Sequence, residues 1–119
     1  MRSENEEGVV ICPWGRYQVI REGQGCKIKR ITVYEGRRLS LQRHRRRSEH
    51  WFVLQGEALV TKDEQELTLA SGQSVDIPIG CRHRILNFGG GELVFIEIQT
   101  GDYFGEDDIE RLEDDYDRI

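Results

Sequence analysis

The sequence lacks long apolar runs, internal repeats and low-complexity segments. No apolar stretch among its 119 residues approaches the roughly 20 residues that are needed to cross a bilayer. The N-terminal segment MRSENEEG is too polar for a secretory signal. We therefore expect a cytoplasmic protein that has no membrane partner.

Cysteine is scarce, and its spacing excludes two classes of small protein. Cys12, Cys26 and Cys81 are odd in number and widely scattered, and none belongs to a CxxC pair. This pattern argues against a disulfide framework and against a sulfur-rich structural zinc site. We expect all three to be reduced thiols with structural roles.

The charge of the chain is acidic overall but unevenly distributed. A net charge of -5 and a pI near 5.2 argue against nucleic-acid binding, because a phosphate backbone favours a basic partner. Arginines are nevertheless concentrated in residues 37–47 and on both sides of His83, whereas acidic residues are concentrated in residues 105–119. The basic cluster overlaps the candidate metal ligands described below, which favours a small anion as ligand.

Composition and periodicity predict one β-rich domain. Residues 1–8 are charged and have no periodicity, so we expect a flexible lead-in followed by a single domain over residues 9–119. About eight short alternating segments separated by turns predict an antiparallel sandwich or barrel. Residues 50–54 are apolar at nearly every position, which predicts a strand buried on both faces.

The C-terminal segment has a different period. Ile109, Leu112 and Tyr116 are spaced i, i+3 and i+7, as on one face of a helix, and Asp107 and Asp108 suit a helix N-terminus. We therefore predict a short C-terminal helix that closes one end of the barrel.

Four side chains on two short segments suggest a metal site. Gln42 and His44 share one face of an extended segment, Glu49 follows closely, and His83 comes after a Pro-Ile-Gly turn. One amide oxygen, two imidazoles and one carboxylate leave a divalent ion with open coordination positions and net positive charge. The pattern predicts one divalent metal ion that acts as a Lewis acid.

The spacing of these residues resembles the two motifs of the cupin superfamily. Residues 36–56 match the first motif, from its initial to its final glycine, and residues 72–87 match the second. Gln42 is the one substitution, because it stands where the first motif usually has a histidine. The resemblance implies an all-β cupin double-stranded β-helix, which is a jelly-roll barrel.

A narrower resemblance covers the chain from about Val10 to Arg118. The segments CPWGRY, LSLQ, EHW, IGCRHR and YFGEDDIER look like the C-terminal domain of type II mannose-6-phosphate isomerases, which is usually fused to a mannose-1-phosphate guanylyltransferase. The pattern Gln-x-His-x-His-Arg-x-Glu-His-Trp of that family is matched from Gln42 to Trp51, except that Arg46 replaces the second histidine. Glutamine at position 42 is typical of this branch.

The resemblance implies a metal-dependent enzyme that interconverts mannose 6-phosphate and fructose 6-phosphate through an enediolate. Its ligand would be a small phosphorylated sugar, and its metal zinc, with manganese, iron, cobalt and nickel as alternatives. Three groups of site residues are predicted: Gln42, His44, Glu49 and His83 as metal ligands; Arg47, His50 and Glu97 as catalytic residues; Arg46, Arg84 and Lys29 as substrate or phosphate contacts. Sequence alone leaves the general base open among His50, Glu57, Glu97 and Lys29.

Arg46 keeps a second class of function open. A permanent cation on the strand face expected for His44 would abolish activity or add a phosphate contact. The alternative is a non-catalytic cupin that binds a sugar phosphate or other small anion as a sensor or partner subunit. Metal-dependent oxygen chemistry is a third possibility that the basic cluster disfavours. Exposed edge strands further predict a homodimer, with residues 10–20 or the C-terminal helix crossing to the partner.

Overall fold

The computed structural model describes residues 8–118, which form two antiparallel sheets around a shared core. The predicted lead-in, residues 1–8, lies almost entirely outside these residues. The first sheet has the order β1-β2-β3-β10-β5-β8 and the second has the order β11-β4-β9-β6-β7. In chain order the strands are β1 (Val9–Cys12), β2 (Gly15–Gly23), β3 (Cys26–Val33), β4 (Leu41–Arg43), β5 (Arg47–Gln55), β6 (Glu57–Lys62), β7 (Gln65–Ala70), β8 (Ser74–Ile77), β9 (His83–Asn87), β10 (Leu93–Gly101) and β11 (Glu110–Glu113).

This architecture confirms the predicted all-β barrel. Every strand pair is antiparallel, and the described residues contain no helix long and apolar enough to cross a membrane. The three cysteines are free thiols.

Strand β5 shows why the inward face carries both the core and the site. Arg47, Glu49, Trp51 and Val53 are buried at alternate positions, as the two-residue period of a strand requires. The intervening side chains, among them Phe52 at 37% exposure, point away from the core. The prediction that residues 50–54 are buried on both faces is therefore wrong, because nothing covers the outer face of this sheet within the described residues.

The interior is polar at one end of the barrel and apolar at the other. Along β10, Phe95 is fully buried and pairs with Val53, whereas Gln99 pairs with Glu49 four residues further on. Strand β9 repeats the change, because His83 precedes the fully buried Ile85 by two residues. The registers align these transitions, so the buried polar residues gather in one place.

The C-terminal segment departs from the predicted helix. A single 3-10 turn spans Glu106–Asp108, and the chain then continues as β11, which pairs with β4. The helical spacing of Ile109, Leu112 and Tyr116 is overridden because the open edge of β4 provides backbone hydrogen-bond partners. The fold class is confirmed, but its helix is confined to three residues.

Both segments that were expected to cross to a partner pair within the chain. Residues 10–20, which were expected to form one segment, are divided between β1 and β2, and β1 pairs with β2 from Val9 to Cys12. Strand β11 covers the edge of the second sheet, and the Tyr116 hydroxyl donates to the carbonyl of Arg38 at 3.0 Å. The homodimer stays a prediction.

Gly101→Ala is expected to destabilise the fold, because a Cβ at this position would lie 2.2 Å from the carbonyl oxygen of Arg46. Gly101 also has φ +154° and pairs with Arg47 at the start of β5. Overpacking and backbone strain together predict a loss of about 2–4 kcal/mol in the free energy of unfolding. Urea denaturation measures this change in the free energy of unfolding.

Gly23→Ala is the matched control, because nothing lies within 4 Å of a Cβ there and its φ is not positive. We expect a change of less than about 0.5 kcal/mol for this exposed position. Equal stabilities of the two variants would contradict the role assigned to Gly101.

Candidate metal centre

A cavity of about 150 Å³ lies between the two sheets at the polar end of the barrel. Strands β3, β5 and β10 contribute Lys29, Glu49 and Glu97 to its wall, and strands β4 and β9 contribute Gln42 and His83. Trp14, Trp51 and Phe95 line the apolar side. The cavity therefore joins a cluster of buried polar groups to a well-packed hydrophobic wall.

His44, Glu49 and His83 form the centre of this cluster. All three are buried, and one potential ligand atom from each lies within 4.8 Å of the others. His44 Nε2 is 3.1 Å from Glu49 Oε2, and His83 Nε2 is 3.7 Å from Glu49 Oε1. The structure thus brings together three of the four predicted ligands in a geometry that could hold a metal ion.

The tautomer of His83 favours metal binding. Its Nδ1 lies 2.9 Å from the carbonyl oxygen of Cys81, which can only accept, so the ring proton is on Nδ1 and Nε2 carries a lone pair. Burial lowers the pKa of His83, which keeps the ring neutral. A lone pair directed at the carboxylate of Glu49 is repulsive unless a cation lies between them.

The two other ligand groups fit the same ion. Burial alone would raise the pKa of Glu49, but interactions led by the hydrogen bond with His44 outweigh it, so its pKa lies well below the usual range. Nδ1 of His44 is buried without a hydrogen-bond partner among the described residues. An ionised carboxylate and two imidazoles with available nitrogens are a suitable donor set for a divalent transition metal.

Gln42 remains beside this cluster. It is the direct cross-strand partner of His83 between β4 and β9, and it lines the cavity. Its Nε2 donates to Ser40 Oγ at 2.7 Å, so the amide oxygen is the atom available to an ion. Its role as fourth ligand stays a prediction.

Arg47 and Trp51 hold Glu49 in place. Arg47 Nε donates to Glu49 Oε2 at 3.1 Å, and Trp51 Nε1 donates to Glu49 Oε1 at 3.0 Å. The Arg47 guanidinium also lies 3.3 Å from His44 Nε2 and donates to the carbonyl of Phe104 at 3.4 Å. Arg47 is therefore inside the site, as predicted, with two of the metal-ligand residues as its partners.

Glu97 is the second buried carboxyl of the cavity. Burial and the charge of Glu49 raise its pKa to about 8. Gln99 Nε2 donates to Glu97 Oε1 at 3.0 Å, and Gln99 Oε1 is buried without a partner in the described part of the chain. The cavity thus contains a carboxyl group that is largely protonated near neutral pH and an acceptor that a ligand hydroxyl can satisfy.

His50 lies outside the cavity, contrary to its prediction as a catalytic residue. Its Nδ1 is 2.6 Å from Asp76 Oδ1 on the outer face of the first sheet. Alternation along β5 is the reason, because Glu49 and Trp51 both point inward and the residue between them must point outward.

Arg46 also lies outside the cavity, away from the position expected for the predicted substrate contact. Its side chain is 52% exposed, pairs with Asp102 at 3.1 Å and lies 4.6 Å from the centre of the Tyr103 ring. It occupies the bend between β4 and β5, so the strand alternation that would have placed it beside His44 does not continue to this position.

Arg84 and Lys29, the two remaining predicted phosphate contacts, both line the cavity, but their side chains have different partners. Arg84 is buried and already occupied, because it donates to the carbonyl of Leu39 at 2.9 Å and to Glu113 at 3.0 Å. Lys29 is buried with its Nζ 4.5 Å from the centre of the Tyr17 ring.

Three arginines of the basic cluster are neutralised by the acidic C-terminal segment. Three ion pairs join Arg38 to Asp115, Arg43 to Glu110 and Arg84 to Glu113. The two charge clusters that are distant in sequence are therefore adjacent in space. Of the basic cluster that was predicted to overlap the metal site, Arg47 and Arg84 line the cavity.

Sequence reasoning did not identify Gln99 or Arg111 as cavity residues. Arg111 lines the cavity from β11 and pairs with Gln42 across β4. Its position within an acidic, apparently helical segment concealed it. Only the assignment of β11 as a strand next to Gln42 would have identified it.

Metal binding is expected to change tryptophan fluorescence, because Trp51 contacts Glu49 and its ring centre lies 5.6 Å from that of His83. Titration with Co²⁺ should quench this emission. Glu49→Gln should weaken Co²⁺ binding more than about 100-fold, since even groups that only orient ligands contribute 10–100-fold.

His50→Gln is the control, because it changes the adjacent motif residue on the opposite face of β5. It should bind Co²⁺ with unchanged affinity. Absence of quenching in the original protein, or equal affinities in the original and Glu49→Gln proteins, would refute the assignment of the centre.

Comparison with known proteins identifies the family. A family model described as mannose-6-phosphate isomerase C-terminal matches residues 2–114. The xanthan biosynthesis protein XanB of Xanthomonas campestris pv. campestris is 52% identical over 106 residues, which are 89% of this chain and 23% of XanB. The alginate biosynthesis protein AlgA of Pseudomonas aeruginosa is 49% identical over 118 residues, which are 98% of this chain and 24% of AlgA. The chain thus spans about a quarter of the length of these relatives.

Solved structures confirm the fold. A Klebsiella pneumoniae protein with a double-stranded β-helix domain superposes with a TM-score of 0.73 at 18% identity, covering 94% of this chain and 90% of its own. This similarity supports the cupin barrel that the two motifs predicted. With the family model matching nearly the whole sequence, the chain belongs to the mannose-6-phosphate isomerase C-terminal family.

Proposed function

We propose that this chain is a metal-dependent isomerase that interconverts mannose 6-phosphate and fructose 6-phosphate. The buried cluster of His44, Glu49 and His83, next to a second carboxyl group in the same cavity, is the observation that carries the proposal. Membership of the family supports this choice of substrate. A cytoplasmic homodimer with one divalent ion per chain remains our prediction for its setting.

The protein side chains would hold one divalent ion through His44, Glu49 and His83, with Gln42 as the fourth donor. Zinc is the first choice, and manganese, iron, cobalt and nickel are alternatives for this mixed nitrogen and oxygen set. A bound divalent ion supplies Lewis-acid polarisation to the carbonyl group of an open-chain sugar.

We propose that Glu97, in its ionised form, accepts the proton from carbon 2 of mannose 6-phosphate and returns it to carbon 1. A divalent ion bound to Glu49 would offset the negative charge that adds to burial in raising the pKa of Glu97. Glu97 is the buried carboxyl group of the cavity that is not assigned as a ligand, and it neighbours the cluster through its contact with Glu49. Burial excludes water from its surroundings, which limits loss of the proton to solvent. Of the other candidate bases, Lys29 lines the cavity, whereas His50 and Glu57 do not.

Gln99 and Arg47 would act by orientation. Gln99 donates to Glu97 and leaves its own buried oxygen free to accept a hydrogen bond from a sugar hydroxyl. Arg47 donates to Glu49 and thereby fixes the direction of the carboxylate relative to His44. In this arrangement Arg47 is a positioning residue for the metal ligands.

Glu97→Gln should remove most of the activity while retaining metal binding, because the amide cannot transfer the proton. Loss of a proton-transfer group predicts a decrease in kcat of about 10²–10⁴-fold. His50→Gln is the matched control on the outer face of the neighbouring strand, and its kcat should be unchanged. Fructose 6-phosphate formed from mannose 6-phosphate is followed by NMR. The isomerase proposal fails if the original protein shows no turnover with any of the five metals.

Arg46→His is expected to leave activity nearly unchanged, although it restores the histidine of the family pattern. Arg46 is exposed and bound to Asp102, so it contacts neither the cavity nor its ligands. Only groups that interact differently with ground and transition states change the rate, so kcat/KM should change by less than about twofold. A tenfold or larger gain would show that position 46 acts on the site and would revive a non-catalytic, anion-binding role for the natural chain.

A further inference from the structure

Arg111 is a half-buried cation that has no carboxylate oxygen within 4.0 Å among residues 8–118. It lines the cavity from the edge strand β11, and its Nε is sealed from solvent with no hydrogen-bond partner among the described residues. Every other buried or half-buried arginine within residues 8–118 has a carboxylate oxygen within 4.0 Å. A guanidinium that loses water without gaining an anion is destabilising, so this position favours an anionic ligand.

A second cation reaches the same cavity from the opposite sheet. Lys29 on β3 is buried, and among the described residues it too lacks a carboxylate oxygen within 4.0 Å. The Tyr17 ring, 4.5 Å from Nζ, compensates only part of the lost hydration. Two cations without ion-pair partners therefore line one cavity, although the protein pairs most of its other arginines.

The register places this charge at a defined separation from the metal centre. Arg111 pairs with Gln42, and Gln42 pairs with His83, so the three positions lie in one row across β11, β4 and β9. With adjacent strands about 4.8 Å apart, the backbone of Arg111 lies about 10 Å from that of His83. A ligand with oxygens for the metal at one end and an anionic group several carbons away can reach both.

We propose that Arg111, with Lys29, forms the subsite that binds the phosphate group of a linear sugar phosphate. The identity of the sugar rests on the proposed isomerase function, whereas the anionic group follows from the two unpaired cations. The guanidinium provides two parallel donors for phosphate oxygens, and the ammonium adds a point charge. Strand β11 therefore contributes a substrate contact in addition to covering the edge of β4.

Calorimetric titration of the metal-loaded protein with mannose 6-phosphate and with mannose tests the subsite. Arg111→Gln should weaken binding of mannose 6-phosphate about 10- to 100-fold, which corresponds to loss of charge-assisted hydrogen bonds. Binding of mannose should not change. Arg111→Lys, which keeps the charge but loses the second donor, should give an intermediate Kd for mannose 6-phosphate.

Arg43→Gln is the matched control for loosening of β11. Its guanidinium binds Glu110 on the same strand pair, but it does not line the cavity. Its affinity for mannose 6-phosphate should equal that of the original protein. An equal loss in Arg43→Gln and Arg111→Gln would overturn the proposal, because it would assign the effect to the strand rather than to the guanidinium.

The two proposals fail in distinguishable ways. Tight, Arg111-dependent binding of mannose 6-phosphate without turnover would support the subsite and refute the isomerase. Turnover with KM and Kd unchanged in Arg111→Gln would support the isomerase and overturn the subsite. Equal affinity of the original protein for mannose and mannose 6-phosphate would also overturn it. If Arg111→Gln does not fold, Arg111→Lys decides, since an unchanged Kd for mannose 6-phosphate excludes the predicted contact.

Discussion

The buried carboxylate of Glu49 is the group on which the rest of the site depends. A carboxylate removed from water is costly unless donors surround it, and here Arg47, Trp51 and His44 all lie within hydrogen-bond distance of its oxygens. These contacts align the strand that carries Glu49 with the bend that carries His44. They also leave the lone pair of His83 facing negative charge. The interior is thus arranged so that a cation relieves repulsion.

Charge complementarity between distant segments determines which cations remain available to a ligand. The acidic C-terminal segment binds Arg38, Arg43 and Arg84, and it does so mostly at the surface, where single ion pairs contribute little stability. The structural consequence is larger than the energetic one. These pairs hold β11 against β4. Strand β11 in turn brings Arg111 into the cavity, where it has no carboxylate partner among the described residues.

Neighbouring positions of one sequence motif have separate structural roles. Glu49 and Trp51 face the cavity, whereas His50 between them binds Asp76 on the outer surface. Arg46, which departs from the family pattern, lies in a bend and binds Asp102. The substitution at position 46, which left a catalytic role in question, therefore lies outside the cavity. Matching a motif identifies which residues are near a site, but the side-chain direction decides which of them can act.

The sequence alone determined the barrel and brought together three of the four predicted ligands, because strand periodicity is local and the motif spacings place Gln42, Glu49 and His83 on strands and His44 directly after one. It also correctly placed Arg47, Glu97 and Lys29 near the site. It could not determine the end of the chain, because Ile109 and Leu112 satisfy a helical period and the competing partner, the edge of β4, is almost seventy residues away. Only the tertiary structure decided which charges neutralise one another, and hence that Arg111 faces the cavity whereas Arg46 does not. Ion pairing depends on distances across sheets, and no local pattern encodes those distances.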